Sequence, residues 1–337
     1  MDKLNVLIVG CGNIAGGYDL RQPEDALPLG HAKAFSRHGG FKLAACVEPD
    51  AIKRTAFQER WNVQEGFSSL SDIALGVGKF DVISICSSTS AHADDIQSVL
   101  QLKPKLIFCE KPVTTTLKST QHLVDACAEQ QVIMGVNYSR RWSPQVIQLK
   151  AELADGYWGA VRSVSAVYNK GILNNGSHML DLLLYLFGPL RVASVGQAIN
   201  DFFSDDPSVD AVLLSEQGFP IQLNVAHAKD YVLFEMQTVT EKGVINMEDG
   251  GERWRFRYAN SSKHLTDYSF LNLGEWVEPE GNYALTGAVS NLFEALKSGV
   301  PLASTGINAL EAQRLCEQIK QMALEKASSH TLHKANL

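Results

Sequence analysis

No apolar run in this chain is long enough to cross a membrane. The richest one, Leu182-Leu183-Leu184-Tyr185-Leu186-Phe187, is closed by Gly188-Pro189; it falls far short of the ~18 residues a span requires and reads as a buried helix. Metal-type cysteine spacing is also missing. The six cysteines, Cys11, Cys46, Cys86, Cys109, Cys127 and Cys316, lie mostly within apolar strand-like runs, and are expected to be reduced core residues of a cytoplasmic protein. Positive charge is in deficit, with 30 Lys and Arg against 37 Asp and Glu and a formal net charge of −7. That balance excludes the basic footprint of a nucleic-acid binder and leaves acidic surface as a solubility device. The opening residues, Met1-Asp2-Lys3-Leu4-Asn5 followed by Val6 to Val9, lack a long h-region and a small-residue cleavage site, so they read as a first strand rather than an export signal. There is no internal repeat and no low-complexity linker.

What is present is enough chain for two cores. At 337 residues, 45% hydrophobic and 20% charged, the sequence is globular and predicts about two domains. Apolar runs at Val6 to Val9, Leu43 to Val47, Val82 to Cys86, Leu106 to Cys109 and Val132 to Val136 alternate with helix-like segments. This alternation predicts a doubly wound parallel sheet. The first domain is expected over residues 1–138 and the second over 139–337. After Tyr138 a helix around Pro144 to Glu152 leads to a strand, Val161 to Asn169, and a helix, Ser177 to Phe187. Runs at Ala211 to Ser215, Ile221 to Ala226 and Tyr231 to Thr238 then follow without helices between them. Strands in series predict an α+β domain with an open, mainly antiparallel sheet. Its open face suits a second copy, as in a homodimer or homotetramer. A last helix, Ala309 to Leu324, precedes a polar tail, Ser328 to Leu337, expected to fray.

Gly10-Cys11-Gly12-Asn13-Ile14-Ala15 follows the first strand directly. Gly10 permits a tight turn, Gly12 lets backbone approach a pyrophosphate, and Ala15 allows close helix packing, so this is a Rossmann-type dinucleotide turn with Asn13 and Ile14 among its phosphate-facing residues. Glu48, ending the second strand, is the candidate acceptor for ribose hydroxyls. A carboxylate there repels a 2′-phosphate and favours NAD, with NADP admitted because Arg54 can soften the repulsion. From Ala15 to Glu48 is 33 residues, where ~20 is usual. The excess matches the polar loop Tyr18 to Gly30, which could be a flap or a passive surface loop. Further on, Glu110-Lys111-Pro112 ends the run Lys105 to Cys109. Proline keeps Lys111 out of helical geometry, so its ammonium is expected in the crevice above the sheet.

In this order the motifs resemble the Gfo/Idh/MocA family of oxidoreductases, the glucose-fructose oxidoreductase and inositol dehydrogenase group, over nearly the whole chain. The glycine turn looks like that family's cofactor turn, and His31-Ala32-Lys33-Ala34 like the helix after it. Ser87-Ser88-Thr89-Ser90-Ala91-His92 stands in the place of its Thr-Pro-Asn-x-x-His loop, with Ser88 where proline is usual. Glu110-Lys111-Pro112 matches its Glu-Lys-Pro signature. Tyr138-Ser139-Arg140-Arg141-Trp142-Ser143-Pro144 resembles its aromatic-Asn-Arg-Arg-Phe-x-Pro segment, and Asn174-Asn175-Gly176-Ser177-His178-Met179-Leu180-Asp181 its Asp-x-Gly-x-His-x-x-Asp motif. Asn174 replaces the aspartate; it can orient a hydroxyl but cannot take a proton as a carboxylate would. The resemblance implies an NAD(P)-dependent dehydrogenase with an active site between two domains, acting on a sugar, polyol or nucleotide sugar, the last by similarity to enzymes of surface-polysaccharide synthesis. It implies cofactor contacts from Gly10, Gly12, Asn13, Ile14, Ala15, Glu48, Ser87, Ser88, Thr89, His92, Glu110 and Lys111.

Oxidising a carbinol requires a base within about 3 Å of the hydroxyl. His178 and Lys111 are the candidates. His178 is expected in the first turn of a helix, where the positive dipole end keeps the imidazole neutral; the plainer alternative is a structural histidine. Lys111, desolvated beside a nicotinamide, would polarise the oxygen or exchange the proton. Asp181, three residues from His178 on one helical face, is expected to be hydrogen-bonded there. Arg140, Lys111, Asn174 and His178 are the candidate substrate contacts, with a structural ion pair as the alternative for Arg140. A redox-neutral, NAD-dependent glycosidase and a non-catalytic dinucleotide sensor are the competing functions.

Overall fold

The computed structural model describes residues 3–75, 79–279, 281 and 283–335. Met1 and Asp2 of the expected first strand, and the last two residues of the expected tail, lie outside that set. The chain forms two compact units, Met1–Ser143 with Tyr283–Leu310, and Pro144–Asn282 with Glu311–Leu337.

The first unit is a six-stranded parallel sheet built from β1 (Leu4–Val9), β2 (Phe41–Val47), β3 (Glu65–Phe67), β4 (Val82–Ile85), β5 (Leu106–Cys109) and β6 (Ile133–Val136). Its order is β3-β2-β1-β4-β5-β6, a doubly wound arrangement with the reversal beside β1. The five longer strands are the apolar runs of the sequence. They are apolar on both faces because helices cover both: Val6, Leu7 and Ile8 have no exposed surface, and full burial of each such side chain contributes about 1.5–3 kcal/mol. The three-residue edge strand β3 has no apolar run to betray it. The helices are α1 (His31–Arg37), α2 (Ala51–Trp61), α3 (His92–Leu100), α4 (Leu117–Glu129) and, from much later in the chain, α7 (Ala284–Ser298). Caps fit the sequence: Asp50 accepts from the Ile52 and Lys53 amides at the head of α2, and Thr116 from Ser119 at the head of α4.

The partition departs from a single cut near Tyr138. Leu285, Ala288, Val289 and Leu292 of α7 share a core with Val6, Ile8, Phe35, Phe108 and Trp142. Their apolar stripe therefore belongs to the parallel sheet, which a reading in chain order does not reveal.

The second unit has α5 (Pro144–Ala154), β7 (Val161–Tyr168), α6 (Ser177–Phe187), β8 (Leu190–Ile199), β9 (Ser208–Ser215), β10 (Pro220–Val225), β11 (Glu235–Thr240), β12 (Gly243–Glu248), β13 (Arg253–Ser261), β14 (Ser269–Leu271), β15 (Glu275–Val277) and most of α8 (Gly306–Ala335). The nine-stranded sheet runs β14-β13-β12-β11-β7-β10-β9-β8, with β15 on β13. It is antiparallel except between β7 and β10, so the expected open, mainly antiparallel sheet is present. Val164, Ala166, Leu213, Leu223 and Met236 pack with Met179, Leu183 and Phe187 of α6 and Leu315 and Ile319 of α8. Alternate residues Ser165, Asp210, Gln222 and Gln237 are exposed. Two expectations shift: the strand read at Tyr231 begins at Glu235, and the tail continues as helix to Ala335 rather than fraying from Ser328, because neither glycine nor proline interrupts it. None of the six cysteines is in a disulfide, and five of them are buried. Among the described residues no helix is long and apolar enough to cross a membrane, and no group of metal-ligating side chains occurs.

Candidate active site

The dinucleotide turn is set by backbone. Gly10 has φ +83°, and a Cβ there would stand 2.7 Å from the Ser87 backbone, so only glycine allows the loops after β1 and β4 to meet. A Cβ on Gly12, by contrast, would point into open space with nothing within 4 Å. That gap is the cradle a pyrophosphate requires, and the first amides of the helical turn beginning there lack an earlier carbonyl to bond. The turn closes through Gly16 and Gly17 amides donating to Gly12 O at 3.3 and 3.2 Å, and Ala15, fully buried, accepts from the Ala32 amide at the head of α1. Glu48 lies against this turn: its Oε2 accepts from the Cys11 amide at 3.0 Å and Oε1 from Asp50 at 3.2 Å. Arg54 donates to the Glu48 carbonyl at 2.5 Å. The residues present fit an adenine dinucleotide.

The insertion is anchored at both ends. Asp19 is completely buried and accepts from the amides of Leu29 (3.0 Å) and Gly30 (2.7 Å), with Lys33 Nζ 3.8 Å away. Lys33 donates to Pro23 O, and Arg37 to Ala26 O and Glu24 O. Charged residues of α1 thus tie the loop down, while Tyr18 and Leu20 remain exposed.

Beside the turn lies a polar network that sequence reasoning missed. His31, the first residue of α1, is 0% exposed. Its Nδ1 meets Ser84 Oγ at 2.7 Å and its Nε2 meets Glu110 Oε1 at 2.7 Å. Asn137 Nδ2 donates to the same Glu110 oxygen at 2.6 Å. Full burial opposes an imidazolium, but the Cys86 sulfur and the Glu110 carboxylate outweigh it and push the His31 pKa up to about 10. Burial likewise disfavours charge on Glu110, yet the bond and charge of His31, then Asn137 and Lys111, hold its carboxyl below the ordinary range. The legible signal was a histidine among the apolar positions Ala32, Ala34 and Phe35 of a short helix. Glu110 thus has one carboxylate oxygen in the network with His31 and Asn137, while its other, Oε2, accepts from the Lys111 amide at 3.3 Å. Lys111 itself is half-buried immediately past the carboxyl end of β5, joined to Pro112 by a cis peptide.

His92 is likewise held by protein contacts. Its ring is buried, with Nδ1 3.0 Å from Pro112 O and Nε2 3.1 Å from Ser87 O. It clips the two loops together. Ser87 Oγ donates to Asp95 at 2.5 Å, and Ser88 and Ser90 hydroxyls pair at 3.1 Å; Thr89 heads the same exposed loop. Arg140 is half-buried in a single helical turn, Ser139–Trp142, whereas Arg141 is buried and donates to Ala303 O, a structural role.

In the second unit, Asn174 and His178 sit on one helical run. A π-helical turn, Gly171–Gly176, passes into α6 without a break, Gly176 having φ −58° and ψ −35°. His178 is thus preceded by helical backbone, and the positive dipole end lies near Gly171 instead of at the imidazole. That corrects the argument for its neutrality. Asn174 Nδ2 donates to Lys170 O at 3.1 Å, and the Ser177 hydroxyl to Asn174 O. Asp181 is buried one turn beyond His178. Tyr168 is a buried core residue, its hydroxyl bridging both backbone groups of Val209. The first unit brings together Gly10, Gly12, Glu48, Ser87, Glu110 and Lys111; the second brings together Asn174, His178 and Asp181.

Residues 4–138 match the family model GFO_IDH_MocA, described as an oxidoreductase family with an NAD-binding Rossmann fold. The chain is 23% identical over 216 residues to a D-apiose dehydrogenase of Paraburkholderia graminis, covering 59% of this chain and 57% of that one. It is 21% identical over 319 residues to an inositol 2-dehydrogenase of Rhizobium meliloti, covering 88% and 93%. The match thus spans little more than half of the first relative and most of the second. In fold it is similar to the WlbA dehydrogenase of Bordetella pertussis solved with NADH and UDP-GlcNAcA, at a TM-score of 0.77, 20% identity and 96% coverage of both chains.

Proposed function

We propose, since residues 4–138 match a model of the GFO_IDH_MocA oxidoreductase family with its NAD-binding Rossmann fold, that the protein is an NAD(P)-dependent dehydrogenase acting on a carbinol of a sugar, polyol or nucleotide sugar. The observation that carries this reading is the placement of Lys111. It lies two residues past the end of β5 at the carboxyl edge of the parallel sheet, the edge that also bears the phosphate turn, and its neighbour Glu110 is anchored in a buried pair with His31. Ligands of such sheets bind at that edge.

Bound nicotinamide would supply the hydride acceptor. Gly12 and the following amides would seat the pyrophosphate, and Glu48 would accept from the ribose, favouring NAD. Lys111 would polarise the alcohol oxygen, Asn174 would orient it by hydrogen bonding, and His178, supported by Asp181, would take the hydroxyl proton. Arg140 is the candidate contact for a substrate anion. Net oxidation is preferred to redox-neutral glycoside cleavage and to a non-catalytic sensor because the named relatives include several sugar and polyol dehydrogenases, and because a proton acceptor has no use in a pure sensor. Assembly through the open face of the second sheet, as a homodimer or homotetramer, is part of the same proposal.

The test is reduction of NAD or NADP with myo-inositol, scyllo-inositol, D-apiose and UDP-N-acetylglucosamine, followed by nicotinamide absorbance. Lys111→Ala and His178→Ala should each lower turnover about 100- to 10,000-fold while NAD still binds. Undiminished turnover in both variants would remove the assignment.

A further inference from the structure

The segment that carries Asn174 is held by its backbone from one neighbouring stretch of chain. Five successive amides, from Lys170 to Asn174, all donate to residues 201–208. Lys170 N reaches Asp201 Oδ2 at 2.9 Å, Gly171 N the Ser208 hydroxyl at 2.8 Å, and Ile172 N the Pro207 carbonyl at 3.0 Å. Leu173 N and Asn174 N then reach Asp206 Oδ1 and Oδ2, both at 2.9 Å. Asp201 is further fixed by the Ser208 hydroxyl and the Ala228 amide.

Helical runs begin with amides that have no earlier carbonyl to bond. Here Asp206, from the loop between β8 and β9, supplies that cap from a distance, one carboxylate oxygen to each of two amides. The fit is tight: Gly171 has φ +84°, and a Cβ on it would collide with Asp206. Lys170, also at positive φ (65°), adopts a conformation a non-glycine residue takes only under such constraint. The π-helical turn is therefore imposed from outside, and with it the location of Asn174 relative to His178.

We propose that Asp206, seconded by Ser208, is a positioning residue for the dehydrogenase reaction, setting where Asn174 meets the substrate hydroxyl. The inference rests on the function proposed above. An amide cannot replace the carboxylate, because it offers one acceptor and would turn its NH2 toward the other backbone N–H.

The experiment compares Asp206→Asn and the milder Ser208→Ala with the wild type by amide hydrogen exchange and by steady-state kinetics on the compound of the above panel that reduces NAD. In Asp206→Asn, exchange at Leu173 and Asn174 should rise about 10- to 100-fold, the range of one lost bond to a charged acceptor, with little change in the second half of α6. The KM of the carbinol compound should rise about tenfold while the KM of NAD stays put. A purely structural role would lower the active fraction and leave the carbinol KM unchanged, which overturns the proposal, as do amides that stay protected in the variant. Should Asp206→Asn fail to fold, Ser208→Ala must show the same KM split in smaller measure, or the proposal falls. If the wild type turns over no panel compound, the dehydrogenase reading fails and takes the proposed role with it; exchange then decides only whether the clamp exists.

Discussion

Replacing Glu110 with Gln tests the buried pair at the heart of the first unit. The side chain keeps its shape but loses the charge that sustains the His31 imidazolium. Because the folded pKa of His31 lies at about 10 against an ordinary 6.5, the pair's contribution is complete below pH ~6.5 and is lost as pH rises toward ~10. Each pH unit in that window corresponds to about 1.4 kcal/mol, and because the Cys86 sulfur raises the His31 pKa alongside the Glu110 carboxylate, the pair accounts for part of that shift and the whole is its upper bound. The lowered pKa of Glu110 is the acid half of the same interaction and is not counted again. Its contribution is present above the ordinary carboxylate range and lost as pH falls through the folded value. Urea unfolding, followed through the amide resonances of Ile83 and Phe108 in β4 and β5, is the assay. Between pH 6.5 and 9 the wild type should lose stability relative to Glu110→Gln, by at most about 3 kcal/mol, since titrations common to both proteins, the Cys86 effect on His31 included, cancel. Parallel pH profiles would refute the charged pair, as would a single protonated ring nitrogen on His31 in 15N spectra at pH 8.

Two neighbouring glycines should respond in opposite ways. Gly12→Ala leaves unfolding unchanged, because its Cβ meets nothing, but weakens NAD binding measured by calorimetry; Gly10→Ala lowers the melting temperature, because its Cβ strikes the Ser87 backbone at 2.7 Å. Equal effects on stability would contradict the cradle. Glu48→Ala should shift the NADP-to-NAD affinity ratio about tenfold toward NADP, equivalent to removing ~1.4 kcal/mol of repulsion; an unaltered ratio in fluorescence titrations would mean Glu48 does not face the ribose. His92→Ala should cost about 1–3 kcal/mol and loosen NAD binding, since the buried imidazole that lies between the Pro112 and Ser87 carbonyls, and its one N–H bond to a loop carbonyl, are removed. Unchanged melting would show that the clip is dispensable.

Much of this was legible because the five longer strands of the parallel sheet are predominantly apolar and each is punctuated by its own turn. The glycine turn, Glu48 and Lys111 are local features, each placed by the strand it ends. Asn174 and His178 stood out by motif, yet the π-helical turn that carries Asn174 did not, because Gly171-Ile172-Leu173-Asn174-Asn175-Gly176 reads as an ordinary loop until Asp206 caps it. The protein contacts of His92 and Glu110 were not legible, because a sequence gives a side chain's position in a loop but not the direction in which it points.

The residue order alone determined the alternation of strand and helix, the phosphate turn and the position of the lysine at a strand end, since these depend on hydrophobic period, glycine geometry and proline. Only the tertiary structure decided that α7 returns to the first core, that His31 and Glu110 are partners 79 positions apart, and that residues 201–208 grip the backbone before α6. Those are contacts between distant segments, and the free energy that selects them, from burial and from satisfying buried polar groups, exists only once the chain has closed around them.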